Sequence, residues 1–562
     1  MHKMLSTGWP LSGEAAPLDI RPAGQAGEQR SNGLSVGSGC RVADSPDDFA
    51  IGAVDRRKPV PAHMSESLHA LDARQAVLWL ILCGSVIRIL CASSVGLGND
   101  ESYMVGVSRQ IAWSYFDHPP IHVWLVGLWA KLFGEAPVVV RLPFIALFSG
   151  STWLMYRLSA RAYGERAGFW AALAFNLAPV FTLSTASWVL PDGPLVFFEL
   201  LAGLSLQRAL FPDADISRAE HATGSPWLFW CSAGAAGGLA LLSKYTAIFF
   251  FAGTGLYLLT SRANRHWLWR PQPWIGVALG ALMFTPVLIW NANHGFVSFA
   301  FQGQRGIPAG INLNWFIQDV GGQALYLLPW IALAIAIVVP RAVFSALEQD
   351  RLFGWLAAPA IVLFLALGLV TRVLPHWPAA GWVFAFPLLG AWLTRFEYDH
   401  RDFLRRATTA TAALLLGFFV FVASQANYGW LGRVVPLPKD PTLEFLDWRG
   451  LEPALNARGL MAKGTVVAAG HWTSAAKINY ALGGQVPVLC LCDQPHHFVY
   501  LNDPKHFVSD DAILLARHDD RLAALARRFE RVEPLDDIVL TRAGQPAVIL
   551  KAARGIHLKN PS

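Results

Sequence analysis

Apolar blocks recur along the chain from about Val77 to Ala426, separated by short turns that carry most of the polar residues. A helix needs roughly 20 apolar residues to cross the hydrocarbon of a bilayer. On that measure the pattern predicts eleven spans, over 77–96, 138–157, 167–186, 192–210, 227–243, 246–260, 274–290, 318–339, 353–370, 378–395 and 407–426. The block 121–134 is shorter and is expected at the membrane surface as an amphipathic helix. After Ala426 the pattern changes. Short strands are predicted at 465–469, 486–491, 512–516, 537–540 and 547–550, with helices at 473–482 and 520–529, so 427–562 reads as a small soluble α/β domain. Residues 1–70 have no apolar period and are rich in Gly, Ala, Pro, Ser and Arg. They read as a disordered leader, and Met64 as an alternative start.

Composition sharpens this division. Of 562 residues 54% are hydrophobic and only 15% are charged, against about 25% in ordinary soluble proteins. A cytosolic enzyme and a disordered scaffold are both excluded. The net charge of +6 is a topology signal and does not indicate nucleic-acid binding. With the N-terminus inside, the inside loops 157–166, 208–226, 261–272, 341–352 and 395–406 hold 14 basic residues. The outside loops 97–136, 187–191, 243–246, 291–314 and 371–377 hold five. Lys and Arg accumulate on the cytoplasmic side. Eleven spans then put the C-terminal domain outside.

With so few acids in the chain, those in the outside loops stand out. Asp100 and Glu101 follow the first span, with Tyr103 beside them, and Asp117-His118 follow in the same loop. Asp192 opens a span in Leu190-Pro191-Asp192-Gly193-Pro194. Lys244-Tyr245 separate two apolar segments, and His376-Trp377 lie in Pro375-His376-Trp377-Pro378. Taken singly, these read as loop acids, helix caps, a snorkelling lysine and interfacial aromatics. Ionisable groups at a membrane boundary are costly unless partnered. Acids, a lysine and histidines converging on one face suit a site for an anionic, lipid-linked substrate. A single displacement there needs a base toward the acceptor and stabilisation of the departing phosphate. Asp100 and Glu101, as acids at a membrane face, are candidates for a general base or for metal ligands. Lys244 and His376 are candidate phosphate partners, and Asp117 and His118 would shape the acceptor pocket or hold a divalent cation such as Mg²⁺ or Mn²⁺. Tyr103, Asp192 and Tyr245 are further candidates. The sequence does not itself demand a metal. No Gly-rich phosphate loop of the GxxxxGK[ST] type is present.

The acidic pair after the first span, the Asp117-His118-Pro119-Pro120 run, Pro191-Asp192-Gly193-Pro194, Ser243-Lys244-Tyr245-Thr246 and His376-Trp377-Pro378 together resemble the GT-C superfamily of glycosyltransferases. The resemblance is to the protein mannosyltransferase-like group, which includes lipid A aminoarabinose transferases and lipopolysaccharide core galacturonosyltransferases. It covers about 75–430. It implies a polytopic helical membrane enzyme of about 11–13 spans. It also implies inverting transfer from a polyprenyl-phosphate sugar to a lipid, lipopolysaccharide or protein acceptor, on the periplasmic side of a bacterial inner membrane. It places the base at Asp100, with Glu101 supporting it or binding substrate. The rival class, a transporter or lipid flippase, predicts inverted repeats and charges at mid-span; no repeat is visible and the acids lie in loops. Cys83, Cys91 and Cys231 read as packing residues, and a disulfide between Cys490 and Cys492, two apart on a strand, would be strained.

Overall fold

The computed structural model describes residues 72–212, 225–308, 310–434 and 440–560. The expected leader at 1–70 and Arg218 lie outside them. The helices of the apolar region are α1 (Ala73–Ser94), α2 (Asn99–Ser108), α3 (Ile121–Phe133), α4 (Pro137–Tyr163), α5 (Glu165–Leu177), α6 (Pro179–Ser184), α7 (Asp192–Leu210), α8 (Pro226–Leu241), α9 (Ile248–Thr260), α10 (Pro271–Asn293), α11 (Val297–Gln304), α12 (Leu313–Leu327), α13 (Pro329–Val343), α14 (Glu348–Gly368) and α15 (Ala379–Tyr428).

Every predicted apolar span is helical, but the helices are less uniform than eleven straight crossings. Among the described residues five are long and apolar enough to cross a membrane alone, or six if α12 and α13 count as one span bent by 104°. The bend falls at Leu328, whose φ of 75° is followed by Pro329. The expected span 167–186 is broken into α5 and α6 at Ala178-Pro179. Helices α5 and α9 have 13 residues each, about 20 Å at 1.5 Å per residue, less than the hydrocarbon thickness. Such segments are tolerated where other helices cover their ends. The expected spans 378–395 and 407–426 form one element, α15, kinked at His400. Helix α3 buries Ile121, Val123 and Val126 toward its start and exposes Leu128, Leu132 and Phe133 toward its end.

The turns sort into two groups as the charge pattern predicted. Contacts join the Arg-rich turns to one another. Arg166 Nε donates to Glu397 at 2.7 Å, Tyr163 Oη to Asp350 at 2.7 Å and Ser261 Oγ to Glu348 at 2.6 Å. The other turns meet at the opposite end of the bundle. Ile121 N donates to Leu242 O at 3.1 Å, Gln302 to Asp117 O at 2.6 Å and Thr371 to Arg305 O at 3.4 Å.

Helices α8 and α10 cross on small residues. Gly234 and Gly238 face Gly276 and Gly280, and a Cβ added at Gly234 would lie 2.0 Å from Gly276 O. Close backbone approach over glycine is a common way for helices to associate where lipid removes the hydrophobic drive. Gly234→Val is expected to lower thermal stability in detergent by the overpacking cost of about 1–3 kcal/mol or more. Gly255→Ala on α9, with open space around it, is the control and leaves stability equal or slightly higher.

The C-terminal region continues with α16 (Leu431–Val434), α17 (Leu451–Ala457), β1 (Val467–Ala469), α18 (Trp472–Ala481), β2 (Val488–Cys490), α19 (Phe498–Leu501), β3 (Ala512–Ala516), α20 (Asp519–Ala526), β4 (Phe529–Arg542) and β5 (Gln545–Leu558). The sheet order is β2-β1-β3-β5-β4, parallel across β2, β1 and β3 and antiparallel beyond. The five expected strands are present, but β4 and β5 form a hairpin far longer than the segments 537–540 and 547–550. Its strands alternate inward and outward residues, so only their most apolar stretches stood out. Strand β2 stops at Cys490, and Cys492 lies in the following turn with its thiol against that of Cys490; both are free cysteines. One apolar cluster, with Val466, Leu489, Leu514 and Phe529, belongs to the domain alone, and a second is shared with α2. Tyr103, Val105 and Val107 of α2 pack in one apolar cluster with Val467, Ala475, Ile478 and Val488.

Candidate active site

The site is built from the N-terminal end of α2, the loop before α3, the start of α7, the α8–α9 turn and the turn before α15. Helix α2 begins at Asn99 because Glu101 caps it. Glu101 Oε2 accepts from Gly98 N at 2.8 Å, the return half of a capping box. The same carboxylate is gripped by the buried guanidinium of Arg141 from α4, Nε to Oε1 at 2.8 Å and Nη2 to Oε2 at 2.5 Å, and accepts from Val189 N at 3.3 Å. Burial pushes this carboxyl up, but the charge and bonds of Arg141 outweigh it and hold Glu101 below the usual range. Both oxygens are committed. The structure therefore places Glu101 as the anchor of α2, and Arg141 as its partner, rather than toward a substrate. Asp100, one residue earlier, is half-buried and acts electrostatically on Arg305 together with Asp117.

Asp117 is buried and its two oxygens are also taken. His496 Nδ1 donates to Oδ1 at 2.5 Å, and Tyr103 Oη donates to Oδ2. Tyr103 in turn accepts from His497 N at 2.8 Å. Burial pushes the Asp117 carboxyl up; the bonds and charge of His496 prevail and lower it. His496 stands among the rings of Tyr103, Phe116, Phe301 and Trp472, with centroids 4.9–6.1 Å away. Arg305 covers Phe301 at 5.2 Å and Trp377 at 5.4 Å, which ties this pocket to the 376–377 turn.

The second half of the site is basic. Lys244 Nζ donates to Asp192 Oδ1 at 2.8 Å, and both residues are buried. Asp192 also interacts electrostatically with His376 and His118. His118 lies between the halves, under the charges of Asp117, Lys244, Arg305 and Asp192; desolvation lowers it to about 4, so its ring is neutral at pH 7. Tyr245 sits beside the cluster, not in it. Its ring packs on Phe284 and Phe299, and its hydroxyl faces Ser114, Ser298 and Asn291.

The structure thus gathers Asp100, Asp117, His118, Asp192, Lys244 and His376 at one end of the bundle. It assigns Glu101 and Tyr103 to holding that geometry. Among the described residues no group of three or more His, Cys, Asp or Glu is placed to hold a metal. Asp117 and His118 lie side by side at this end of the bundle, and each oxygen of Asp117 already accepts one hydrogen bond.

Four residues of this region went unseen in the sequence. Arg141 is an arginine set in the apolar first half of α4, a signal that could have been read. Glu199 lies two turns after Asp192 on α7; it is wholly buried, and neither oxygen has a hydrogen-bond partner. It interacts electrostatically with Lys244 and Asp192, and the i,i+7 spacing would have exposed it. Arg305 was counted only as a loop charge. His496 had no local signal, because its partner is 379 residues away in sequence.

Comparison with known proteins agrees with this picture. Residues 117–290 match the family described as dolichyl-phosphate-mannose-protein mannosyltransferase. No curated protein is a significant sequence match. Among solved structures, ArnT from Cupriavidus metallidurans bound to undecaprenyl phosphate superposes with a TM-score of 0.58 at 17% identity, covering 84% of this chain and 97% of that one. The apo form of the same protein gives 0.57 at 17% identity, with 85% and 98% covered. At that identity the likeness establishes a shared fold.

Proposed function

We infer that this chain, a membrane glycosyltransferase of the GT-C superfamily related to the protein mannosyltransferase-like enzymes, moves a sugar with inversion from a polyprenyl monophosphate to a hydroxyl of a lipid, lipopolysaccharide or protein acceptor. The single observation that carries this reading is the convergence of acids and cations at one end of the bundle. Asp100 and Asp117 act on Arg305, and the buried Lys244 pairs with Asp192 beside His376. The ArnT relative binds undecaprenyl phosphate, and a phosphate of that kind suits the basic half.

In this mechanism Asp100 accepts the proton of the attacking hydroxyl. The oxygen attacks the anomeric carbon, and the bond to the carrier's phosphate oxygen breaks. The phosphate leaves with its charge met by Lys244 and Arg305 and by hydrogen bonding from His376. Neutral His118 and the Asp117 pocket wall orient the acceptor. The leaving group is already anionic, so no acid is needed on that side. The position of these residues at the Arg-poor end of the bundle supports a reaction on the periplasmic face of a bacterial inner membrane, together with the C-terminal domain. A transporter or flippase reading has no use for a base beside a phosphate site in loops.

The test is direct. Membranes containing the chain are supplied with a panel of polyprenyl-phosphate sugars, and surface polysaccharide and lipid A from a deletion strain are compared by mass spectrometry. Transfer by the chain and loss of one sugar from the envelope are expected; no transfer from any such donor overturns the reading. Lys244→Ala is expected to weaken undecaprenyl phosphate binding by about tenfold or more, since a hydrogen-bonded charge contributes about 1.5–3 kcal/mol. Acceptor affinity should change far less, and equal losses on both sides would count against a phosphate role.

A further inference from the structure

We propose that α18 of the C-terminal domain is a splint for α2, with Lys477 and Asn479 as positioning residues for the acidic turn at Asp100. The proposal rests on the reading of that turn as the acceptor side of a transferase site. It adds a requirement: the soluble domain must be docked for the site to work.

The linker between α1 and α2 has no secondary structure of its own, and the backbone that sets Asp100 is held by two buried cations. Arg141 donates to the carbonyls of Ala92, Val95 and Gly96 at 2.9, 3.0 and 2.9 Å. Lys477, on α18, donates to the carbonyl of Leu97 and to that of Leu446, the latter at 3.1 Å. Ser102 Oγ closes the turn by donating to Gly98 O at 2.7 Å. The far end of α2 is held by the same helix. Gly106 lets α18 approach so closely that a Cβ there would lie 2.7 Å from Asn479 Oδ1. Arg109, just past α2, donates to Asn479 O at 3.0 Å and to Asn479 Oδ1 at 2.7 Å. Between the two ends, Trp472 meets Tyr103 edge-on at 5.8 Å.

Lys477 is the informative member. It is 3% exposed, and its hydrogen bonds go to backbone carbonyls. Burial drives its ammonium down to about 8, against the opposing charges of Glu444, Glu101 and Asp447. A residue needed only for packing would be apolar, because a buried charge is costly unless it does something an apolar group does not. Here it supplies hydrogen-bond donors to a linker carbonyl. Displacement of a reacting group by about 1 Å can slow a reaction about 100-fold.

The experiment compares Lys477→Met, Lys477→Arg and Asn479→Ala in the full chain. Three quantities are read: the rate of transfer from a polyprenyl-phosphate sugar, undecaprenyl phosphate affinity, and amide hydrogen exchange of 97–109. For Lys477→Met the expected result is a kcat lower by about 10–100-fold, with carrier affinity and thermal midpoint little changed and exchange faster at 97–103. Lys477→Arg, which keeps donors for the carbonyls, restores most of the rate. Asn479→Ala moves the same quantities less. Wild-type kcat and exchange in Lys477→Met overturn the proposal. So does a rate loss that merely follows a lowered thermal midpoint with no local change at 97–103. If the unmodified chain transfers no sugar, the functional reading fails, and the exchange measurement still decides the splint.

Discussion

Asp100→Asn is expected to reduce kcat by about 10²–10⁴-fold, the usual contribution of a positioned general base, while undecaprenyl phosphate affinity stays within about twofold. The substitution keeps the size and shape of the side chain and removes its capacity to take a proton. Asp100 lies in the first turn of α2, so its replacement leaves the cap at Glu101 and the Arg141 pair in place. Its charge acts on Arg305, and a small change in carrier binding through that arginine is compatible with the assignment. Initial rates at saturating donor, with carrier binding measured separately, check the prediction. A variant that transfers at the wild-type rate removes Asp100 from the base role and leaves Asp117, with its His496 partner, as the acid to test next.

The largest effect on stability is expected from breaking the Glu101–Arg141 pair. Arg141→Met leaves a buried carboxylate without its partner and strips the donors from two linker carbonyls and from that of Ala92 at the end of α1. Breaking a buried ion pair by removing one member typically costs about 3–5 kcal/mol. Glu101→Gln is expected to cost less, since its amide oxygen still accepts from Arg141 and from a backbone N–H, although the charge is lost and the other oxygen becomes an NH2 that faces donors. Thermal inactivation in detergent orders the variants: wild type most stable, then Glu101→Gln, then Arg141→Met. Equal stability of Arg141→Met and wild type would contradict the anchoring role. Because Glu101 is held below the usual carboxylate range, its contribution is fully present above the ordinary glutamate pKa. It is lost as pH falls through the lower folded value, so the Arg141 anchor weakens only in acid.

Some of the site was legible in the chain and some was not, for different reasons. Asp192, Lys244, His118 and His376 were readable because each is an ionisable group set in apolar surroundings. Such a group must be partnered or functional, and all four converge. Glu101 was also readable as important, but not the contacts through which it holds the turn beside Asp100. Sequence shows that it follows Asp100 and cannot show that Arg141, 40 positions later, claims both of its oxygens. Tyr103 and Asp117 looked like independent loop residues. They are one hydrogen-bonded unit, completed by His496 from a separate domain.

The sequence by itself determined that the chain is a helical membrane protein with a small α/β appendage, which turns share a face, and which face carries the chemistry. These follow from hydropathy, from the cost of unpaired backbone and charge in lipid, and from the Arg bias of one set of loops, all properties of short windows of residues. The tertiary structure alone decided which helices are interrupted, that α2 shares a core with the C-terminal domain, and that Arg141, His496 and Lys244 hold Glu101, Asp117 and Asp192. Those outcomes depend on contacts between residues up to 394 positions apart. Hydrogen bonds and burial are pairwise in space, and a carboxylate's role is set by whichever donor reaches it first.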